Sequence, residues 1–295
     1  MSVARVLRSR AYLTFGVVWC GSVVALLIAD RANAVLALAT AAYALLLAGG
    51  VIRFLPPPRD ARTDDVFRAQ GPRRSVLAQN LVGMLAFGWA VLTGFVYGGR
   101  FVPFVTPTVV WLQTIHTPLK HGAGSFFNFA GMALVPGLLL FAVGARPRHL
   151  GLRRPERGTL RAATVCLALP LTMCIFALVN GGIKPVTLLW LLVYNFFSNG
   201  FSEEFQSRAI NLSQLRAWMA NDWALVIQAI LFAVPHIGST IHEYHSVAMA
   251  LANVVALNAP IAMALGIMAL RSRSLVLPTV VHISLDTMAA LVGAP

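Results

Sequence analysis

The sequence predicts an all-α fold, a polytopic transmembrane helix bundle of eight or nine spans, on three observations. Charged residues are 11% of the 295 and hydrophobic residues 58%, with a mean hydropathy of +0.75; a soluble domain carries about 25% charged residues. The apolar stretches are continuous and about 17–25 residues long, the length a helix needs to cross a bilayer, whereas a barrel shows alternating strands of about ten residues. Arginine clusters also return at every second loop, as the positive-inside rule requires. One membrane domain, 1–295, follows, with no soluble domain attached.

Nine spans can be drawn, at about 12–29, 34–52, 76–97, 125–144, 160–180, 185–212, 222–238, 246–270 and 275–292. The first follows Arg5, Arg8 and Arg10. It is longer than the core of a secretory signal, about 7–15 residues, so it reads as an uncleaved anchor. Segments 53–75 and 145–159 are rich in Pro and Arg and read as solvated connectors. Phe101 to His116 is apolar but broken by Pro103 and Pro107. Counted as a crossing, it would put the arginines of 146–161 on the wrong side, so it is expected to be re-entrant or interfacial. With it set aside, 19 of the 23 Lys and Arg fall on one side, and Arg31, Arg100, Lys120 and Lys184 on the other. The expectation is an integral protein of the plasma (inner) membrane, N-terminus cytoplasmic and C-terminus outside. Topology thus accounts for the net charge of +13, and no nucleic-acid partner is implied. Cys20, Cys166 and Cys174 lie inside apolar segments without metal spacing and read as packing residues.

Residues 1–180 offer no chemistry; residues 185–292 do. The run Phe201-Ser202-Glu203-Glu204-Phe205-Gln206-Ser207-Arg208 places two of only ten acidic residues side by side in an apolar span. A charge at the bilayer centre costs about 2.5–3.5 kcal/mol on insertion scales, so such groups usually line a site. Glu204 and Arg208 are four apart and able to pair on one helix face; Glu203 points about 100° away. His236 follows on the next span, then His282 and Asp286, again four apart. Elsewhere a lone histidine or an i,i+4 pair is ordinary packing. In lipid each polar group needs a partner from another helix. The set supplies a general base, its orienting partners and an oxyanion stabiliser, enough to hydrolyse a peptide bond. An ion-coupled transporter also carries intramembrane ionisable residues, but usually as related sets in two inverted halves; here they crowd into the last third. A peptide-binding immunity protein without activity is a further alternative. Ile241-His242-Glu243-Tyr244-His245 is expected to be a solvated outer connector, and His116, Lys120 and His121 receive no functional reading.

Glu203-Glu204-x-x-x-Arg208, Phe232-x-x-x-His236 and His282-x-x-x-Asp286, in this order on successive apolar segments, resemble the signature of the CPBP family of intramembrane endopeptidases. That family includes the type II CAAX prenyl endopeptidases and the bacteriocin-processing and immunity proteins. Gly200-Phe201 before the pair, and Leu265-Gly266 and Ser274-Leu275 ahead of His282, agree; the resemblance covers about 185–291. It implies that Glu203 activates the attacking water and that His236 shares that proton chemistry. His282 and Asp286 would complete the site and assist the tetrahedral oxygen, and Glu204 would pair with Arg208 to fix the helix. The implied partner is a membrane-anchored peptide or protein substrate: a prenylated or otherwise lipidated tail, a peptide precursor, or a C-terminal sorting signal as in the myxosortase-like branch. No cofactor is expected. Zinc on His236 and His282 with Glu203 as base is the alternative, though no His-Glu-x-x-His helix is present. Asp286 stands where the family often has Asn, Phe205-Gln206-Ser207 is more polar than the usual run, and Ala209 replaces a common glycine. The four site residues are expected to converge. At about 1.5 Å per residue, His236 lies some 20 Å from the cytoplasmic end of its span and Glu203 closer to that end, so a tilt or a shifted boundary must bring them together.

Overall fold

The computed structural model describes residues 9–57, 65–108, 110 and 127–291, and among these it contains nine long helical segments and no strand. They are α1 (Arg10–Ala29), α2 (Arg31–Phe54), α3 (Arg73–Tyr97), α4 (Phe127–Ala142), α5 (Thr159–Val179), α6 (185–218), α7 (Asn221–Tyr244), α8 (Val247–Ser272) and α9 (Val276–Leu291). Six of them, α1, α2, α3, α5, α7 and α8, are long and apolar enough to cross a membrane, and α4 and α9 are shorter apolar helices. All nine coincide with the expected spans to within a few residues, except at the ends of α6 and α7. Of the expected re-entrant stretch, 109 and 111–116, with His116, fall outside the described residues, as do Lys120 and His121.

Helix α8 forms the centre. Its buried face is built of small side chains, among them Ala256, Ala259, Ala262, Gly266 and Ala269, which let neighbouring backbones approach closely where lipid supplies no hydrophobic drive. A Cβ at Gly266 would meet the Leu225 side chain of α7 at 2.4 Å. Helices α1 and α2 turn Val17, Ile28, Leu45 and Leu46 outward, the apolar surface a lipid-facing helix presents.

The two ends of the bundle differ. At one end Asp30 caps α2, accepting from the Asn33 backbone N–H at 3.2 Å, and its other carboxylate oxygen takes the Tyr244 hydroxyl at 2.9 Å. Ile241–Tyr244 is therefore the last turn of α7, tied to α2, rather than a solvated connector. The opposite end collects the arginine-rich segments. Asp65 pairs with Arg148 at 3.2 Å and with Arg273 at 3.6 Å, and Arg273 also meets Glu156 at 3.5 Å. Arg216 donates to the carbonyls of Val66 and Phe67, and Arg271 donates to the Leu55 carbonyl at 2.7 Å. The described parts of the segments expected to be solvated connectors thus form a packed cap, in which arginines donate to backbone carbonyls of a turn (Val66, Phe67) and of a helix end (Leu55). Their placement on a common end is what the charge pattern requires.

Candidate active site

The site is organised by α6, which is not a uniform helix. It runs in i→i+5 turns over Phe196–Gly200, in regular turns over Phe201–Glu204, and in i→i+5 turns again over Phe205–Leu212 before ending as α-helix at Trp218. Such wide turns leave backbone groups to be satisfied from outside and often mark functional positions. The Ser198 carbonyl takes the Asn128 side-chain amide of α4 at 3.0 Å, and Asn128 in turn is held by the Tyr97 hydroxyl of α3 at 3.1 Å. At Gly200 helices α6 and α9 touch: a Cβ there would lie 2.4 Å from the Ile283 side chain.

Helix α7 carries His236 on a tightened turn. Pro235 has no N–H to give, and the helix narrows to 3-10 geometry over Val234–His236. Helix α3 lies unusually close here. A Cβ at Gly94 would stand 1.9 Å from the Pro235 carbonyl oxygen, and one at Gly98 would stand 1.8 Å from that of Gly238. The G-x-x-x-G spacing of 94–98 thus seats α7 backbone to backbone, immediately beside His236. The depth mismatch expected from sequence disappears because α6 continues past 212. Glu203 lies fifteen residues before Trp218 and His236 fifteen after Asn221, so the two are level about the turn at 219–220.

The predicted site residues converge. His236 Nε2 and His282 Nε2 each lie 3.9 Å from Glu203 Oε2, and His282 Nε2 lies 3.7 Å from Asp286 Oδ1. Glu204 and Arg208 are fully buried one layer below, paired at 3.0 Å, with Arg208 also donating to the Ala262 carbonyl at 3.2 Å. Glu204 has a second partner that the sequence did not reveal: its Oε1 faces His282 Nδ1 at 2.9 Å. Glu204 therefore orients a histidine as well as an arginine. Phe232 closes the layer, 5.0 Å beneath the Arg208 guanidinium, with ring centroids 5.4 Å from His236 and 5.8 Å from His282.

The partners fix the tautomers. His236 Nδ1 faces the Phe232 carbonyl at 3.1 Å; a carbonyl only accepts, so Nδ1 carries the proton. His282 Nδ1 faces a carboxylate held by an arginine and is likewise the donor. Both histidines, when neutral, present a bare Nε2 lone pair to the same oxygen of Glu203. Glu203 is 18% and His236 35% exposed at the side chain, against 0% for Glu204; the carboxylate beside the histidines is the one a solvent molecule can reach. Among the described residues no group of three or more His, Cys, Asp or Glu side chains is arranged to hold a metal ion.

A cavity of about 320 Å³ opens from Glu203 and His236 between α3, α4, α6 and α7. Asn199, one turn before Glu203, is on its wall and within hydrogen-bonding reach of Asp286. Sequence reasoning missed Asn199, Tyr97 and Asn128, although a string of amides in an apolar span was a signal of the same kind as the glutamate pair.

The family model described as Type II CAAX prenyl endopeptidase, Rce1-like, matches residues 185–288, the stretch from the start of α6 into α9 that contains Glu203, Glu204, Arg208, His236, His282 and Asp286. The resemblance carried by the three motifs is thereby shown. Comparisons with curated proteins and with solved structures gave no match.

Proposed function

We propose that the chain is an intramembrane endopeptidase that hydrolyses a peptide bond in a membrane-tethered or lipidated peptide or C-terminal tail, with Glu203 as the base. One observation carries this reading: two histidine Nε2 atoms stand 3.9 Å from a single oxygen of Glu203. That separation is too long for a direct hydrogen bond and suits one water held by the carboxylate and a ring nitrogen together. The neighbouring Glu204 is locked between Arg208 and His282 and has no such freedom.

In the reaction the water oxygen bonds to the scissile carbonyl carbon while its proton passes to Glu203, and the carbonyl electron pair moves onto oxygen. Collapse of this tetrahedral species breaks the C–N bond. The leaving nitrogen takes the proton from Glu203, directly or through His236. His282, its Nδ1 anchored by Glu204, offers an Nε2–H to the developing oxyanion in its protonated form, with Asp286 3.7 Å from the same nitrogen. No step calls for a metal. The arginine-rich cap faces the cytoplasm of a plasma (inner) membrane, with the N-terminus on that side and the C-terminus outside, by the positive-inside rule.

The test is Glu203→Gln, expressed beside candidate membrane-tethered peptides and followed by mass spectrometry. Cleavage should vanish while expression and Tm stay near wild type, because the change removes a base and keeps the shape. Turnover retained in Glu203→Gln would remove Glu203 from the mechanism.

A further inference from the structure

Depth in the bundle distinguishes its two ends as routes to Glu203. The layer of Glu203 and His236 lies fifteen residues from the arginine-rich end, along α6 to Trp218 and along α7 from Asn221, or about 22 Å at about 1.5 Å per residue. Toward the other end His236 is eight residues from Tyr244, about 12 Å by the same rise. Gly94, which meets Pro235, is three residues from Tyr97 at the end of α3. The site is therefore nearer the end where Asp30 and Tyr244 meet. The cavity follows the same asymmetry. On the cap side of Glu203 its wall is formed by Gln206, Ser207 and Asn211, each at least nine-tenths buried. Toward the opposite end it includes Tyr97, 47% exposed, and Ser239, also exposed. Among the described residues, one continuous core of buried side chains runs from Val66 and Phe67 in the cap, through Ile210 and Leu212, to Phe205, two residues from Glu203. The Glu204–Arg208 pair, fully buried, closes the same level.

We infer that the substrate reaches Glu203 from the end opposite the arginine cap, as a membrane-tethered segment lying on that face. The inference rests on the endopeptidase reading and sharpens its substrate class. A chain arriving from the cap would have to part a core packed as closely as an organic crystal. One arriving sideways through lipid would carry unpaired backbone N–H and C=O groups, which the hydrocarbon region does not tolerate. The cavity mouth beside Tyr97 and Ser239 imposes neither penalty. At about 3.3 Å per residue, about four residues of extended chain cover the depth of about 12 Å to His236 and Glu203. By the positive-inside rule this face is the outer one. The substrate class is then a tethered chain whose loose segment is already exposed outside, and a lipidated tail confined to the cytoplasm has no comparable route.

The experiment uses the full chain in sealed membrane vesicles sorted into two orientations. In a cysteine-free background an impermeant thiol reagent reads the orientation, reaching Arg154→Cys where the cap faces the medium and Glu243→Cys where the opposite end does; neither position lines the cavity. If that background fails to fold, protease digestion of a tag placed ahead of α1 reads it instead, since Tyr12 of α1 bonds to Asp222 at the cap end. A pool of randomised peptides is added to the medium, each long enough to span the depth and bearing one palmitoyl chain and a charged residue that keeps it in the leaflet it enters. Products are read by mass spectrometry before and after detergent opens the vesicles. Vesicles with the cap inward should cut about tenfold faster than those with the cap outward, and detergent should remove the difference. Equal rates, faster cutting with the cap outward, or cutting that begins only in detergent would each overturn the inference and leave the endopeptidase reading intact. A chain that cuts no member of the pool even in detergent would sink both.

Discussion

The close crossing of α3 and α7 permits a sharp test of how His236 is placed. In Gly94→Ala the new methyl carbon would stand 1.9 Å from the Pro235 carbonyl oxygen, 1.1 Å short of the 3.0 Å that real Cβ atoms respect. The obstacle is backbone, so no side-chain rotation relieves it; α3 or α7 must move by about that amount. Pro235 is bonded to His236, whose Nε2 now lies 3.9 Å from Glu203. A displacement of about 1 Å in a catalytic group costs on the order of 100-fold in rate, and overpacking of this kind destabilises by about 1–3 kcal/mol. Gly88→Ala is the control, since a Cβ there meets nothing within 4 Å on the same helix and alanine favours a helix over glycine by about 1 kcal/mol. Both variants would be purified in detergent and compared for Tm and for initial rate on a tethered peptide that wild type cuts. Gly94→Ala should lose several degrees in Tm and about two decades in rate, with Gly88→Ala at or slightly above wild type in Tm. Equal behaviour of the two would show that the crossing does not set the position of His236.

Glu204→Gln should strand Arg208 in a dry interior and cost about 3–5 kcal/mol, seen as poor expression; removing both charges in Glu204→Gln with Arg208→Met should recover part of the protein, and no recovery would argue against the pair as the cause. Strong chelators should leave turnover in detergent unchanged and elemental analysis should find no stoichiometric zinc; loss on chelation with rescue by zinc would give His236 and His282 to a metal. In a cysteine-free background, Arg154→Cys should be shielded from an impermeant thiol reagent in sealed right-side-out membranes while Glu243→Cys reacts; the opposite pattern would invert the protein. Asp30 lies between spans, and its carboxyl is held below the usual carboxylate range first by the Asn33 backbone N–H and then by the Tyr244 hydroxyl. A folded-state value below the unfolded one gives stability that is present above about pH 3.9 and lost as pH falls through the folded value. Asp30→Ala should therefore lower Tm at neutral pH and weaken its dependence on pH below about 4; an unchanged acid profile would exclude the cap as its source.

The spans were legible because apolar runs of membrane length have few other meanings, and the gathering of Asp65, Arg148, Arg216 and Arg273 at one end of the bundle accords with the loop charges. The glutamate pair and the two histidines stood out for a related reason: polar groups are scarce in such spans, so each one needs an explanation. What escaped was whatever depends on a second helix. An i,i+4 count sees Arg208 beside Glu204 but not His282, 78 residues away. It sees Gly94 as a weak helix residue, not as the place where α7 rests. The sixth span is expected to end at about 212, yet Arg216 donates to the carbonyls of Val66 and Phe67 and the helix continues to Trp218. The first half of the chain looked chemically empty because Tyr97 and Asn128 act through the Ser198 carbonyl, a contact that no local pattern announces.

The wide turns of α6 have a consequence for how this chain can change. Each such turn holds more residues than an α-turn, so it shifts the angular phase of everything before it relative to everything after, by up to about 100° for one residue. Residues 185–195, ahead of the first wide stretch, therefore stand at a different angular phase from Glu203 and Glu204 than a regular helix would give them. Substitutions can accumulate on that outer half, whose Val186, Leu189 and Val193 are exposed, without turning the glutamates off their partners. Deletion of a single residue within 196–200 would do the reverse, keeping every side chain of the pair while aiming the preceding eleven positions at different neighbours.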